Sequence, residues 1–385
     1  MIRTNWAAML GIAGDDRLGL GERLRRYPWS LVALLLSIAI LGLIILYSAV
    51  GGRENIDLFW GQGLRLVVGL LLLFAITLFV GEKLFRRYTY LFYGISLLLL
   101  LAVAMGGTVG MGARRWLVLG SFRFQPSELM KVGVILALAR YFHDRGVTTQ
   151  LGWKELWMPA ILIMAPVGLI AKQPDLGTAL LVAAVGGVVI FVAGLSWRGV
   201  VAGLVVLGAS GPLVWSNLHD YQRRRVATLF SPEQDPLGSG YHIIQSKIAV
   251  GSGGVFGKGF LEGSQSHLDF LPERHTDFIF SVLAEEWGFL GTMLLILLYG
   301  LTILRGWIIA SAAHDRFGIL TASGLTALFG IQVVVNVGMV IGIFPVVGIP
   351  LPLVSYGGSS MMTVLLAMAL LIHVDIHSKQ HGRAV

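Results

Sequence analysis

Long apolar runs organise this chain, and they recur too often for a soluble fold to bury them. By hydropathy ten of them fall at about residues 30–50, 64–80, 91–105, 125–142, 158–171, 177–195, 199–215, 277–304, 317–343 and 353–374. Several approach the roughly 20 apolar residues that cross a hydrocarbon core of about 30 Å. Composition agrees: 56% of the 385 residues are apolar and 13% are charged, with a mean hydropathy of +0.78. Lipid offers the backbone no hydrogen-bond partners, so a spanning segment must satisfy its own. The pattern therefore predicts an all-α polytopic membrane protein with about ten transmembrane helices. Fifty glycines suit the close helix packing of such a protein.

Three regions are expected: an N-terminal arm over 1–29, a membrane domain over 30–374 and a tail over 375–385. A long polar loop, about 216–276, separates the seventh and eighth spans. There are no cysteines, which excludes disulfides, thiolate metal sites and cysteine nucleophiles. The first apolar run is long enough to stay as an anchor, and no cleavable signal is visible. Arg3, Arg17, Arg23, Arg25 and Arg26 precede it, and Lys83, Arg86, Arg87, Arg140, Arg145, Lys154, Arg198, Arg305, Arg316, Lys379 and Arg383 fall in loops of the same side. That side is expected to be cytoplasmic, with both termini there. The opposite face carries Arg114, Arg115, Arg123, Arg223, Arg224, Arg225, Lys247, Lys258 and Arg274. Cations on an outer face suit either an anionic ligand such as a lipid diphosphate or contact with lipid headgroups.

The residues Glu273-Arg274-His275-Thr276-Asp277 stand where the long loop re-enters apolar sequence. Asp277 begins the eighth span, so it reads either as an N-cap or as a general base or ion-binding carboxylate at the water–lipid boundary. Near a positive helix end it is expected to be a weak base. Ser281, four residues on, shares its helix face. Glu285 and Glu286, being adjacent, point to different faces, and packing and function are both open to them. Glu128 and Lys131 sit one turn apart on the fourth span, either as a structural ion pair or as the polar floor of a cavity. Gln125-Pro126-Ser127 precedes them as a helix start. Trp116, next to Arg115, reads as an interfacial anchor or as part of a groove for a lipid tail. Gln173-Pro174-Asp175 makes a short outer turn. Pro345, Pro350, Pro352 and the Ser355–Ser360 stretch break the boundary of the last two spans, which predicts a cavity wall there.

Some motifs fail. Gly251-Ser252-Gly253-Gly254 and Gly257-Lys258-Gly259 look like a nucleotide loop, but the pattern and the absence of a preceding strand exclude it. His373, Asp375, His377 and His381 have metal-like spacing in a cytoplasmic tail. Nothing beyond charge supports nucleic-acid binding.

Six blocks, in order, resemble the SEDS family (shape, elongation, division and sporulation proteins): 112–116, 125–131, 173–178, 245–249, 271–286 and 350–360. The likeness runs from the first span almost to the C-terminus, and the 247–254 and 272–275 wording is similar to the elongation branch rather than the division branch. It implies a peptidoglycan glycosyltransferase of ten helices in the bacterial inner membrane. Such an enzyme polymerises lipid II into glycan strands at the outer face, releases undecaprenyl diphosphate and works beside a class B penicillin-binding protein. The resemblance makes Asp277 the residue essential for polymerisation. Transition-state chemistry adds Arg115, Lys247 and Arg274 as candidates for diphosphate contact, Trp116, Gln125 and Ser355 as substrate contacts, and Glu128, Lys131, Gln173, Asp175 and Ser281 as cavity structure. Mg²⁺ or Mn²⁺ is a candidate cofactor. The competing expectation is a lipid II transporter, for which Glu128, Lys131, Glu285 and Glu286 would line the path.

Overall fold

The computed structural model describes residues 19–52, 56–110, 113–119, 122–146, 151–217, 220–235, 238–264 and 273–381. Arg3, Arg17, Gly112, Leu271, Pro272 and Arg383, which belong to the arm, tail and motifs above, lie outside these. The helices are α1 (Leu20–Arg26), α2 (Trp29–Ala49), α3 (Ile56–Phe79), α4 (Glu82–Arg87), α5 (Thr89–Gly106), α6 (Pro126–Asp144), α7 (Trp153–Lys172), α8 (Leu176–Val192), α9 (Trp197–Ala209), α10 (Gly211–Asn217), α11 (Asp220–Phe230), α12 (Ser239–Ser252), α13 (Ile279–Ala312), α14 (Arg316–Val340) and α15 (Gly358–His381). Every expected span meets a helix. Among the described residues seven helices are long and apolar enough to cross a membrane: α2, α3, α5, α7, α13, α14 and α15. The chain is a multi-pass, all-α membrane protein.

The differences from expectation have local causes. The seventh span breaks at Ser210 into α9 and α10, because Pro212 cannot continue the hydrogen-bond ladder and disfavours helical backbone before it. The last helix starts at Gly358 rather than near Leu353, because Pro350 and Pro352 cannot donate to a helical ladder and the chain turns at Leu353 with left-handed φ (64°). The long loop before α13 is itself folded into α11 and α12. Between α5 and α6 lies a small antiparallel sheet, β1 (Thr108–Gly110), β2 (Ala113–Leu119) and β3 (Phe122–Phe124), in the order β1-β2-β3.

Helices α6, α14 and α15 form the centre of the bundle. Fifteen of the 19 residues of α6 are buried, and the apolar window of α15 is 83% buried against 28% for α3 and α5. Helix α6 therefore tolerates Glu128 and Lys131, since both carboxylate oxygens lie 2.8 Å from Nζ. Lipid never meets the pair.

Helix α13 is interrupted at Gly288 (φ 65°, ψ −158°). The interruption frees backbone groups that lipid cannot satisfy, and the loop after α12 supplies partners for them. Amides of Lys258 and Gly259 donate to the carbonyls of Glu285 and Glu286, both at 3.0 Å. Amides of Phe289 and Leu290 donate to the carbonyls of Gly254 and Val255 at 2.9 and 3.2 Å. The glycine-rich stretch that mimics a nucleotide loop thus repairs a broken helix. A Cβ on Gly257 would overlap the Glu286 carbonyl. Side chains lock the same joint: Lys258 Nζ bonds Glu285 at 2.6 Å with Ser264 at 3.1 Å, and Ser48 donates to Glu286. Gly257→Ala should therefore lower thermal stability in detergent by roughly 1–3 kcal/mol equivalent. Gly251→Ala, inside α12 with open space around it, should be neutral or slightly stabilising. Differential scanning fluorimetry of both variants checks this.

Candidate active site

The turn from Glu273 to Phe278 is held by its backbone before any side chain is considered. Glu273 takes left-handed φ (58°), and its carbonyl accepts the amides of Thr276 at 3.1 Å and Phe278 at 3.4 Å. The Thr276 hydroxyl donates to the Glu273 carboxylate at 2.8 Å. Three further carbonyls of the turn are pinned from other elements. His275 accepts the Tyr356 amide at 2.9 Å, Thr276 accepts the Ser355 hydroxyl at 2.5 Å and Asp277 accepts Asn336 Nδ2 at 2.9 Å. Asn336 also donates to Ile349 at 2.8 Å, and Ser355 accepts the Leu351 amide at 2.8 Å. Ser355 and Asn336 therefore anchor the turn to the proline-broken wall between α14 and α15.

Asp277 does not cap α13. The N-cap is Phe278, and no side chain bonds to the first amides. The carboxylate instead faces Gly348, where an added Cβ would lie 3.4 Å from Oδ2. Four charges act on it: Glu273 and Asp175 raise its pKa, and Arg225 and Arg115 lower it. Burial outweighs all of them and lifts the pKa to about 6. The expected weak base is thus corrected: without the capping bonds, desolvation and Glu273 dominate. Burial likewise lowers the pKa of the nearby His275.

The facing side of the site comes from β2 and the start of α8. Arg115 Nε donates to the Gln173 carbonyl at 3.3 Å, a second guanidinium nitrogen donates to the Pro174 carbonyl, and Nε lies 3.9 Å from Asp175. Asp175 caps α8 through the Thr178 amide at 3.4 Å and accepts Gln125 Nε2 at 3.2 Å. Gln173 Nε2 reaches the Leu100 carbonyl at 2.9 Å. Strand alternation sends Trp116 to the opposite side of β2 from Arg115.

The structure thus brings Asp277, Arg115, Gln125, Gln173 and Asp175 to one place, with Ser355 behind the turn and Glu128–Lys131 a turn below Gln125. It does not bring all the expected cations there. Lys247 lies on α12 over Gly342, and Arg274 Nε donates to the Ala49 carbonyl at 2.7 Å, at the end of α2. Ser281 does not face the site either. It is fully buried, 2.8 Å from Ser246, which in turn bonds the Val340 carbonyl at 2.7 Å. Sequence reasoning missed Arg225 as a site residue, hidden in a run of three arginines. It bonds the Val346 carbonyl at 3.0 Å, two residues before Gly348. Glu273 and Asn336 were also missed, although a polar residue inside an apolar span is a signal by itself. No grouping of three or more His, Asp or Glu side chains with metal-ligating geometry occurs among the described residues.

Residues 28–380 match the cell cycle protein family model FtsW/RodA/SpoVE. The chain belongs to this family. It is 44% identical over 357 residues to the peptidoglycan glycosyltransferase MrdB of Escherichia coli (strain K12), covering 92% of this chain and 95% of that protein. It is 32% identical to the peptidoglycan glycosyltransferase RodA of Treponema pallidum (strain Nichols), covering 91% and 97%. Among solved structures it resembles a chain of a peptidoglycan synthase complex that coordinates polymerization and crosslinking, with TM-score 0.80, 42% identity and coverage of 92% and 99%. It also resembles the rod shape determining protein RodA of Thermus thermophilus, with TM-score 0.68, 38% identity and coverage of 90% and 96%. The FtsW/RodA/SpoVE fold therefore carries the Asp277 site.

The raised pKa has a consequence for stability. The unfolded carboxylate titrates near about 4 and the folded one at about 6. Between those values the folded state binds more protons, so its stability falls as pH rises through that window. Asp277→Asn should therefore raise the unfolding temperature at pH 8 and change it little at pH 4, as thermal scans in one detergent would read.

Proposed function

We propose that this peptidoglycan glycosyltransferase polymerises lipid II with Asp277 as general base. The observation that carries the proposal is a carboxylate left free of any helix cap, on a turn pinned by Asn336 and Ser355 where the long loop re-enters the bundle, with Arg115 and Arg225 acting on it. A sugar hydroxyl of the acceptor attacks the anomeric carbon of the donor. The new glycosidic C–O bond forms, the bond from that carbon to the diphosphate oxygen breaks, and undecaprenyl diphosphate leaves with the electron pair. Asp277 accepts the hydroxyl proton and returns it to water. At neutral pH a group of pKa about 6 is mostly ionised yet more basic than an ordinary aspartate, which suits this role. Arg115 and Arg225 supply positive charge where the departing diphosphate develops negative charge. Among the described residues, Glu273, Asp277 and Asp175 do not form a three-ligand metal cluster.

The transporter alternative drew on buried ionisable groups along the membrane depth. Glu128 is held by Lys131, Glu285 by Lys258 and Glu286 by Ser48, which supports structural roles for them. The working orientation puts both termini in the cytoplasm and the site at the outer face of the bacterial inner membrane. A class B penicillin-binding protein that cross-links the product is the partner this reading calls for, in line with the complex that the chain resembles.

Glycan-ladder gels of purified protein with lipid II test the reading, with and without the transpeptidase partner. Asp277→Asn should cut polymer formation about 100-fold or more. The wild-type rate should climb about tenfold per pH unit up to about 6 before levelling. Ladders of wild-type intensity from folded Asp277→Asn protein would overturn the assignment.

A further inference from the structure

One cation inside the membrane has no task in the site just described. Arg65 lies nine residues into α3 (Ile56–Phe79), about 13 Å along the axis from its start. Its guanidinium sits over the Tyr356 ring, 5.0 Å from the centroid. The aromatic face satisfies part of the charge but none of the five N–H donors. Nη1 is buried with no hydrogen-bond acceptor among the described residues. An arginine inside a span is costly, and in membrane proteins such residues mark ligand and ion paths.

Its surroundings are those of an anion site. Nε lies 3.2 Å from where a side chain on Gly358 would begin, and Gly358 is the first residue of the 24-residue α15. The opening amides of a helix lack intrahelical acceptors and favour negative charge. Gln62, one turn before Arg65, fixes the approach: Nε2 donates to the Ser355 carbonyl at 3.0 Å and Oε1 accepts the Gly357 amide at 3.4 Å. Tyr356 itself meets His275 edge-on at 5.9 Å. Arg65 thus faces the wall that carries the Asp277 turn, one aromatic ring further from it, and is not among the charges that act on Asp277.

Polymerising lipid-linked sugars places two diphosphates in one enzyme. The donor's diphosphate departs, and the acceptor's stays attached. We propose that Arg65, over Tyr356 and beside the first turn of α15, binds the diphosphate that the acceptor retains. The assignment rests on the polymerase reading of the Asp277 site. It predicts a binding residue remote from the bond being broken, felt in substrate affinity rather than in the chemical step.

The test is binding without turnover. Undecaprenyl diphosphate retention is measured by native mass spectrometry on Asp277→Asn protein carrying Arg65→Met, Arg65→Lys or Tyr356→Phe, each first checked for its unfolding temperature. Phosphatidylglycerol is the control ligand. Arg65→Met should weaken undecaprenyl diphosphate about tenfold, as expected for one charge-assisted contact, and leave phosphatidylglycerol unchanged. Arg65→Lys should fall between Met and wild type, and Tyr356→Phe should match wild type. In otherwise wild-type protein, Arg65→Met should raise KM for lipid II with kcat nearly constant. Equal undecaprenyl diphosphate retention in folded Arg65→Met or Arg65→Lys overturns the proposal. Loss of phosphatidylglycerol in place of undecaprenyl diphosphate also overturns it, making Arg65 a bilayer-headgroup site. Polymerisation by Asp277→Asn would instead overturn the base assignment and leave these binding results standing.

Discussion

Backbone at membrane depth has no water to bond, and this structure is arranged around that scarcity. Two irregular segments, the turn before α13 and the break at Gly288, would each leave polar groups exposed to a medium that cannot solvate them. Both are repaired by distant chain. Ser355, Asn336 and the Tyr356 amide hold the carbonyls of the turn, and the loop after α12 holds the break. The repair at the turn also makes it rigid, because each pinned carbonyl fixes one peptide plane. Asp277 inherits that rigidity. Its carboxylate is presented without being used up in a helix cap.

The electrostatics follow from that presentation. A carboxylate that capped α13 would bond to amides and titrate low. This one faces Gly348 amid protein, with Glu273 on its own turn, and titrates high. Arg115 and Arg225 reach it from β2 and α11, elements far apart in sequence. Each is first tied to main-chain carbonyls, Arg115 to Gln173 and Pro174 and Arg225 to Val346. Cations positioned in advance need little reorganisation when negative charge develops on a leaving group.

Much of the site was legible beforehand because its parts carry local signatures. Asp277, Gln125, Asp175 and Ser355 stand at breaks in apolar sequence, where polarity needs a reason. The assignments that shifted were those that depended on reach. Lys247 and Arg274 are cations in the right loop, yet their side chains go to Gly342 and Ala49. Arg225, one of three consecutive arginines, is the one that helix α11 turns toward Gly348. Ser281 does lie one turn beyond Asp277, but Asp277 is outside the helix, so the shared face does not exist.

Hydropathy is a property of short windows, so the sequence by itself determined where the apolar helices fall, the all-α class and the breaks at Pro345, Pro350 and Pro352. Which polar groups meet is a property of packing between windows separated by tens to hundreds of residues, from 27 between Lys258 and Glu285 to 293 between Gln62 and Ser355. The tertiary structure alone decided that Asp277 is a carboxylate of raised pKa and not a cap, that a glycine-rich loop heals α13, and that Arg65 lies over Tyr356. Those outcomes turn on ångström-scale approach and on the loss of water around a charge, which no local pattern encodes.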